Sequence, residues 1–405
     1  MLGGTVPHAA LIQNLKRRGY CTVLLDYYEN PPAKQFADRH FRESTLDLEA
    51  VVNVARDVSA SVVLSACVDQ ANATACHVAE KLGLPAPYSY ETALKVSQKP
   101  IMKAVMAEYG IPTCKYRVIR EQSELGILDL QFPLIVKPAD SNGSKGVKRA
   151  ETPSELLAHF RSAKHISRNG EVIVETFCRG EDVSVDCFVQ DGKATVLMLR
   201  RKYDLPGTSD TVINCFASIV PARVSAVAFE KIRGIADAVT IAFGLQSTPL
   251  LIQVMVDRED VSVIELAARI GGGLSYRTIL LKIGFDILDA TLDVYLNKTP
   301  CLTTRPSKDI FLTSNVYAFP GVFDVVVGQR ELIRNGVIRE FYQHKMRGMT
   351  IGTSLASGDR VCSFIVQGDN EELVLEKVRQ AISRLTVLDV YGKDLTRRDI
   401  YLRKL

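Results

Sequence analysis

Residues 263–273 read "VIELAARIGGG": a glutamate and an arginine stand four residues apart in an apolar run that stops at three glycines. Side chains alternate across a strand, so Val263, Glu265, Ala267 and Arg269 would share one face and Ile264, Leu266 and Ala268 the other. One face is then core, and the other is free to carry charge. Buried charges are usually paired and paired charges often only hold structure, so an ion pair at a sheet edge accounts for this stretch as well as a functional site does. The segment just upstream bears on that choice. With "LLIQVMVDRED" (250–260) it reads as a hairpin turning near 257–260, which brings Gln253 opposite Glu265 to within a residue of register. A carboxylate, an amide carbonyl and a guanidinium would then face one spot. Mg2+ takes one or two carboxylates and completes its shell with water and substrate phosphates, so Glu265 and Gln253 are candidate ligands. Arg269 offers a planar fork to a phosphoryl or carboxylate oxygen, and the backbone of 271–273 permits close approach.

Two more segments could serve the same site. In "LIVKPADSNGSKGV" (134–147) a strand delivers Lys137 to its end, and a turn follows that holds Ser141, Gly143, Ser144, Lys145 and Gly146. Small residues let backbone N–H groups close on an anion, and two lysines suit a polyphosphate. The GxxxxGK[ST] and GxGxxG patterns are both missing, so this is neither of the common phosphate loops, and a flexible hairpin with solvated lysines is the alternative. "EVIVETFCRGEDVSVDCFV" (171–189) runs a strand into Glu175, bends at Gly180 and restarts with Glu181 and Asp182. Glu175, the backbone of Thr176 and Phe177, and Asp182 seven residues on could hold an adenine edge and a ribose diol; solvated carboxylates at a strand end read the same way. The histidines show no metal-ligand spacing, and GxSxG is missing.

The 405 residues, 47% of them hydrophobic, suffice for two or three domains with real cores. Fifty basic and 46 acidic residues are spread throughout, with no basic stripe for nucleic acid or a membrane surface. Nine cysteines without a CxxC pair argue for reduced thiols. With no export signal and no run of about 18 apolar residues, a cytoplasmic protein is expected. Strand and helix alternate through 1–92, which predicts a parallel sheet covered by helices. Helices are predicted at 10–18, 46–58, 70–82 and 99–109, strands at 61–66 and 133–138, and a late helix at 370–385 with its stripe at Leu375, Val378, Ile382 and Leu385. A Pro- and Thr-rich connector at 297–309 opens the last domain.

In order, Lys99, Lys137 with its loop, "VETFCRGEDVSVD" and "VIELAARIGGG" resemble the ATP-grasp superfamily, and within it the carboxylate-amine ligases that include L-amino acid ligases. "GVFDVVVGQREL" and "ASGDRVCSF" resemble that group's C-terminal domain. The resemblance implies an α/β (α+β) chain: a Rossmann-like preATP-grasp domain over 1–92, an ATP-grasp domain over 93–300 with subdomains 93–170 and 171–300, and a C-terminal α+β domain over 301–405. It implies ATP and Mg2+ as cofactors. Lys99 and Lys137 would contact phosphates, the loop with Ser141, Gly143, Ser144, Lys145 and Gly146 would close over them, Glu175, Thr176 and Phe177 would read adenine, and Asp182 would hold the ribose. Glu265 and Gln253 would bind the metal, while Arg269, Lys137 and Lys145 would act at the transferring phosphoryl group. Gln253 and Asp182 stand where the family usually has glutamate, and Ala267 where it has asparagine. The implied reaction activates a carboxylate as an acyl phosphate for attack by an amine. A nucleotide-binding regulatory protein whose chemistry has lapsed, or an enzyme using a thiol or bicarbonate, are the alternatives. Small-molecule substrates are implied, no nucleic acid and no membrane, and a homodimer is compatible. Arg200, Arg201, Lys202, Arg277 and the loop 356–360 could line an acceptor site; a solvated face also accounts for each.

Overall fold

A computed structural model describes residues 1–141, 143, 145–204, 215–353 and 355–401. Near the N-terminus, helix Val6–Arg17 leads to strand Val23–Leu25, which pairs in parallel with Arg39–Phe41. Leu2 bridges to Leu25 in parallel and donates its N–H to Leu64 O at 2.9 Å, so the 61–66 segment runs alongside in place of a full strand. Helices Leu48–Asp57 and Asp69–Leu82 cover this layer. The first begins where the Asp47 carboxylate accepts from Ala50 N–H, and it buries Val51, Val52 and Ala55; the second ends at Gly83 in the left-handed region.

A four-stranded antiparallel sheet follows, in the order Tyr116–Ile119, Val172–Thr176, Leu134–Pro138, Lys148–Ala150. Helix Pro153–Ile166 is capped by the Thr152 hydroxyl and buries Leu156, Phe160 and Ala163 against Val136, Val172 and Val174. Strand Val172–Thr176 therefore belongs with the first half of the expected ATP-grasp domain and not with the second. The break falls after it, near Gly180, whose φ of 116° only glycine adopts freely and where a Cβ would strike the Val256 carbonyl.

The second sheet has eight strands: Asp260–Ala267, Thr248–Asp257, Glu181–Gln190, Lys193–Asp204, Cys215–Val220, Ile310–Val316, Cys362–Gly368 and Glu340–Gln343, every neighbour antiparallel. Helix Ala226–Phe243 lies on its core face and packs Ile232, Ile235, Val239 and Phe243 against Val183, Val185, Ile252 and Val254. Each such side chain, fully buried, contributes about 1.5–3 kcal/mol relative to exposure. The sheet crosses residue 300 without interruption, because Cys215–Val220 pairs with Ile310–Val316. A smaller sheet, Thr350–Ile351, Gly321–Val327 and Thr386–Asp389, completes the C-terminal part with helix Glu371–Arg384. Among the described residues no helix is long and apolar enough to cross a membrane.

Cysteine pairing departs from the expectation of reduced thiols. Cys114 and Cys178 form a disulfide, and the other seven stand outside it as thiols. The two are 64 residues apart in sequence, but the pairing of Tyr116 with Glu175 puts them at adjoining strand ends. No CxxC pattern could announce a pair made by sheet register.

Candidate active site

The hairpin turns as its sequence suggests, with Asp257 paired to Asp260 and Gln253 directly opposite Glu265. Beyond Gln253 the register shifts, so that Val254 opposes Val263 and Ile264 is left over. This bulge corrects the simple alternation. Val261 and Val263 are in the core with Leu266 and Ala268, while Ile264 and Glu265 both stay partly exposed. An extra residue inverts the parity of everything after it, which is how Glu265 and Val263 come to lie on opposite faces. On the face opposite that core, Glu265, Gln253, Ser184 and Arg200 form one cross-strand row.

One cleft is lined by Lys99, Gly143, Gln253, Glu265 and Arg269, together with Asp69 and apolar groups that include Met102 and Leu266. Lys99 is the first residue of helix Lys99–Glu108; its ammonium donates to Ser141 O and stands 3.8 Å from the Glu265 carboxylate. Burial pushes the Glu265 carboxyl up, but Lys99, Lys137, Lys202 and Arg269 outweigh it and leave it below the ordinary range. Gln253 donates its amide N–H to Asp182 Oδ2 at 2.8 Å, and Asp182 also pairs with Lys202 at 3.1 Å. The Glu265–Arg269 ion pair, the structural alternative for this stretch, is not what forms. Arg269 makes a bidentate pair with Asp69, both contacts at 2.7 Å, and gives its third edge to Ile270 O at 2.8 Å. The guanidinium expected to be open to a ligand is thus held by a carboxylate from the N-terminal helix Asp69–Leu82. Sequence reading missed Asp69, since an acid in a first helical turn needs no further explanation.

Behind the cleft lie the residues expected to meet nucleotide. Lys137 does not end in open space: its ammonium is 2.6 Å from Glu175 Oε1, and both side chains are buried. Lys103, which no motif singled out, stands 2.8 Å from Glu175 Oε2 and is 1% exposed. Thr176 and Phe177 have already committed their N–H groups, to Lys115 O at 2.9 Å and Pro133 O at 3.0 Å. As donors to a base they are excluded, because strand pairing consumes them. The next N–H, that of Cys178, meets no backbone acceptor among the described residues. In the loop, Ser141 Oγ donates to Lys145 O at 2.8 Å, and Lys145 itself is exposed. Ser144 lies outside the described residues. Gly271 is required by close approach, since a Cβ there would fall 2.9 Å from both Asp186 Oδ1 and Ser275 Oγ.

The basic residues proposed for an acceptor site are not a solvated face. Arg200 is buried with Asp186 at 2.6 Å, Arg201 pairs with Glu371, Lys202 with Asp182, and Arg277 with Glu340 at 3.0 Å. Arg360 donates through Nε to the Tyr317 hydroxyl at 3.1 Å. Among the described residues no three His, Cys, Asp or Glu side chains converge as a metal site. The single carboxylate of Glu265 beside the Gln253 carbonyl fits an ion that shares its shell with phosphates, and does not fit an all-protein cage.

The ATP-grasp domain family matches residues 130–277, which span the lysine loop, Glu175, the hairpin and the glycine run. That stretch is similar to an ATP-grasp domain. Beyond that stretch, the fold of nearly the whole chain is shared with solved structures. An L-amino acid ligase from Bacillus licheniformis superposes with a TM-score of 0.79 at 18% identity, covering 96% of this chain and 98% of that one. The biotin carboxylase domain of 2-oxoglutarate carboxylase from Hydrogenobacter thermophilus, solved as a dimer with MgADP, ADP and bicarbonate, superposes with a TM-score of 0.76 at 15% identity, covering 100% and 93%. In sequence, the formate-dependent phosphoribosylglycinamide formyltransferase of Nitratidesulfovibrio vulgaris strain DP4 is 29% identical over 240 residues, 56% of this chain and 58% of that protein. Across such curated relatives, the match takes in 42 to 62% of the relative's length.

Proposed function

We propose that this chain is an ATP-dependent carboxylate-amine ligase that works through an acyl phosphate. The observation that carries the reading is a cleft in which Lys99 meets Gly143, Gln253, Glu265 and Arg269 of the stretch matched to the ATP-grasp domain family. A substrate carboxylate oxygen attacks the γ-phosphorus of ATP and the bond to ADP breaks. The amine then attacks the acyl carbon and gives up a proton as orthophosphate leaves. Lys99, Lys137 and the exposed Lys145 draw the polyphosphate into the cleft and stabilise charge on its oxygens. Bound Mg2+ would supply further charge neutralisation there, held by Glu265 and the Gln253 carbonyl. Asp69 fixes the plane of Arg269 so that the cation faces the transferring group without searching for its rotamer. Glu175 and Asp182 are assigned to adenine and ribose, with the Cys178 N–H replacing those of Thr176 and Phe177 as the base donor.

The test is an ADP-release screen over pairs of amino acids and small carboxylates, with the products resolved by ion-exchange chromatography. ADP and orthophosphate are expected. AMP and pyrophosphate would overturn the acyl phosphate route, and nucleotide binding with no turnover on any pair would favour a regulatory nucleotide-binding protein. A cytoplasmic homodimer belongs to the same proposal, and sedimentation velocity tests the dimer.

A further inference from the structure

Glu175 is enclosed by two ammonium groups, Lys137 at 2.6 Å and Lys103 at 2.8 Å, and all three side chains are at most 5% exposed. Two buried cations are in contact with one carboxylate, with Glu265 the next anion they face. That arrangement is costly unless the extra cation has a second duty, because an ion out of water needs a full counter-charge. The two lysines differ in how they are held. Lys103 also donates to Thr113 Oγ1 at 2.9 Å, and that hydroxyl donates to Val263 O at 2.7 Å in the metal-site hairpin. It is tied at both ends. Lys137 has Glu175 as its one partner among the described residues and sits at the end of the strand that leads into the loop of Ser141 and Gly143.

We propose that Lys103 is a positioning residue: it stays on Glu175 as a standing counter-ion, and so frees Lys137 to turn to a nucleotide polyphosphate without stranding a buried carboxylate. This rests on the ATP reading above. In a chain without Lys103, Lys137 would be the only cation on Glu175, and leaving it would cost what breaking a buried pair costs. Phosphate-dependent affinity would then fall while the adenine pocket stayed as it is.

The experiment is calorimetric titration of ADP and of adenosine, without added magnesium, into the full chain and its Lys103→Met and Lys103→Arg variants. The parent should bind ADP more tightly than adenosine. Lys103→Met should lose more than about tenfold in ADP affinity with adenosine within about threefold of the parent, and Lys103→Arg should restore the preference. Equal losses for both ligands in Lys103→Met would make Lys103 merely structural, and no loss for either would overturn the proposal outright. Should Lys103→Met fail to fold, Glu175→Gln and the double variant Lys103→Met/Glu175→Gln carry the test. Because Glu175 is also assigned to adenine, both variants should weaken ADP and adenosine together, but neither leaves Lys137 a carboxylate to abandon, so the ratio of the two affinities should stay at the parental value; its collapse in both would overturn the proposal. A parent that binds ADP no better than adenosine would instead remove the ATP reading.

Discussion

Replacing Glu265 by glutamine keeps its shape and removes its charge, so the variant separates a metal ligand from a structural acid. ADP formation should fall by at least about a hundredfold. The melting temperature should barely move, since Glu265 is partly exposed and its nearest cation is 3.8 Å away. Near-parental rates would return the glutamate to a structural role. Gln253→Ala should cost less, and Gln253→Glu should be tolerated with less Mg2+ needed for half-maximal rate. Glu175 makes a different prediction, about pH. Burial raises its carboxyl, but Lys137 and Lys103 outweigh that and hold it at about 2, below the ordinary 4.5. A folded value below the unfolded one means the unfolded chain takes up more protons as pH falls, so this stability is complete above about 4.5 and is lost toward about 2. Urea midpoints measured between pH 5 and pH 2.5 should drop steeply in the parent and more gently in Glu175→Gln. Parallel slopes would show that the pairing with the two lysines does not control acid stability.

Strands and helices were largely legible in the sequence, and the places where they were not have physical causes. The predicted helix at 99–109 is Lys99–Glu108 and that at 370–385 is Glu371–Arg384, because a first-turn proline, the Asn370 cap and a 3.6-residue stripe are local signals. Opposition of Gln253 and Glu265 was readable from hairpin length. The bulge at Ile264 was not, as a leftover residue in one strand has no composition of its own, and it reversed the face assigned to Val263. Asp69, Lys103 and the disulfide escaped for a common reason: each acts through a partner dozens of residues or more away, brought near by strand or helix packing. The disulfide is directly testable. Denatured chain without reductant should titrate seven thiols, and nine after reduction. Cys114→Ser should lower stability by on the order of 2–4 kcal/mol, the loop-entropy scale for such a bridge. Nine thiols in the unreduced protein would exclude the bridge.

On the scale of the whole chain, the division expected at residue 300 is a division of sequence and not of structure. Phe216, Ala217 and Ile219 belong to one core cluster with Leu312, Val316 and Phe364. A chain ending at 300 would leave strand Cys215–Val220 without its neighbour Ile310–Val316 and expose that apolar surface, so it should be insoluble or molten by near-ultraviolet circular dichroism. A soluble, cooperatively melting fragment would show that the eight-stranded sheet is separable. The four-stranded sheet is attached differently. The chain enters it just before Tyr116 and leaves it just after Thr176, and the Cys114–Cys178 bridge stands across those two crossings. A slab hung on two separate straps can rock about the line that joins them and can also twist about either one. Tying the straps together removes the twist and keeps the rock. Any closure of the four-stranded sheet over the eight-stranded one would then run along a single angle, the one that sets the gap between Gly143 and Glu265.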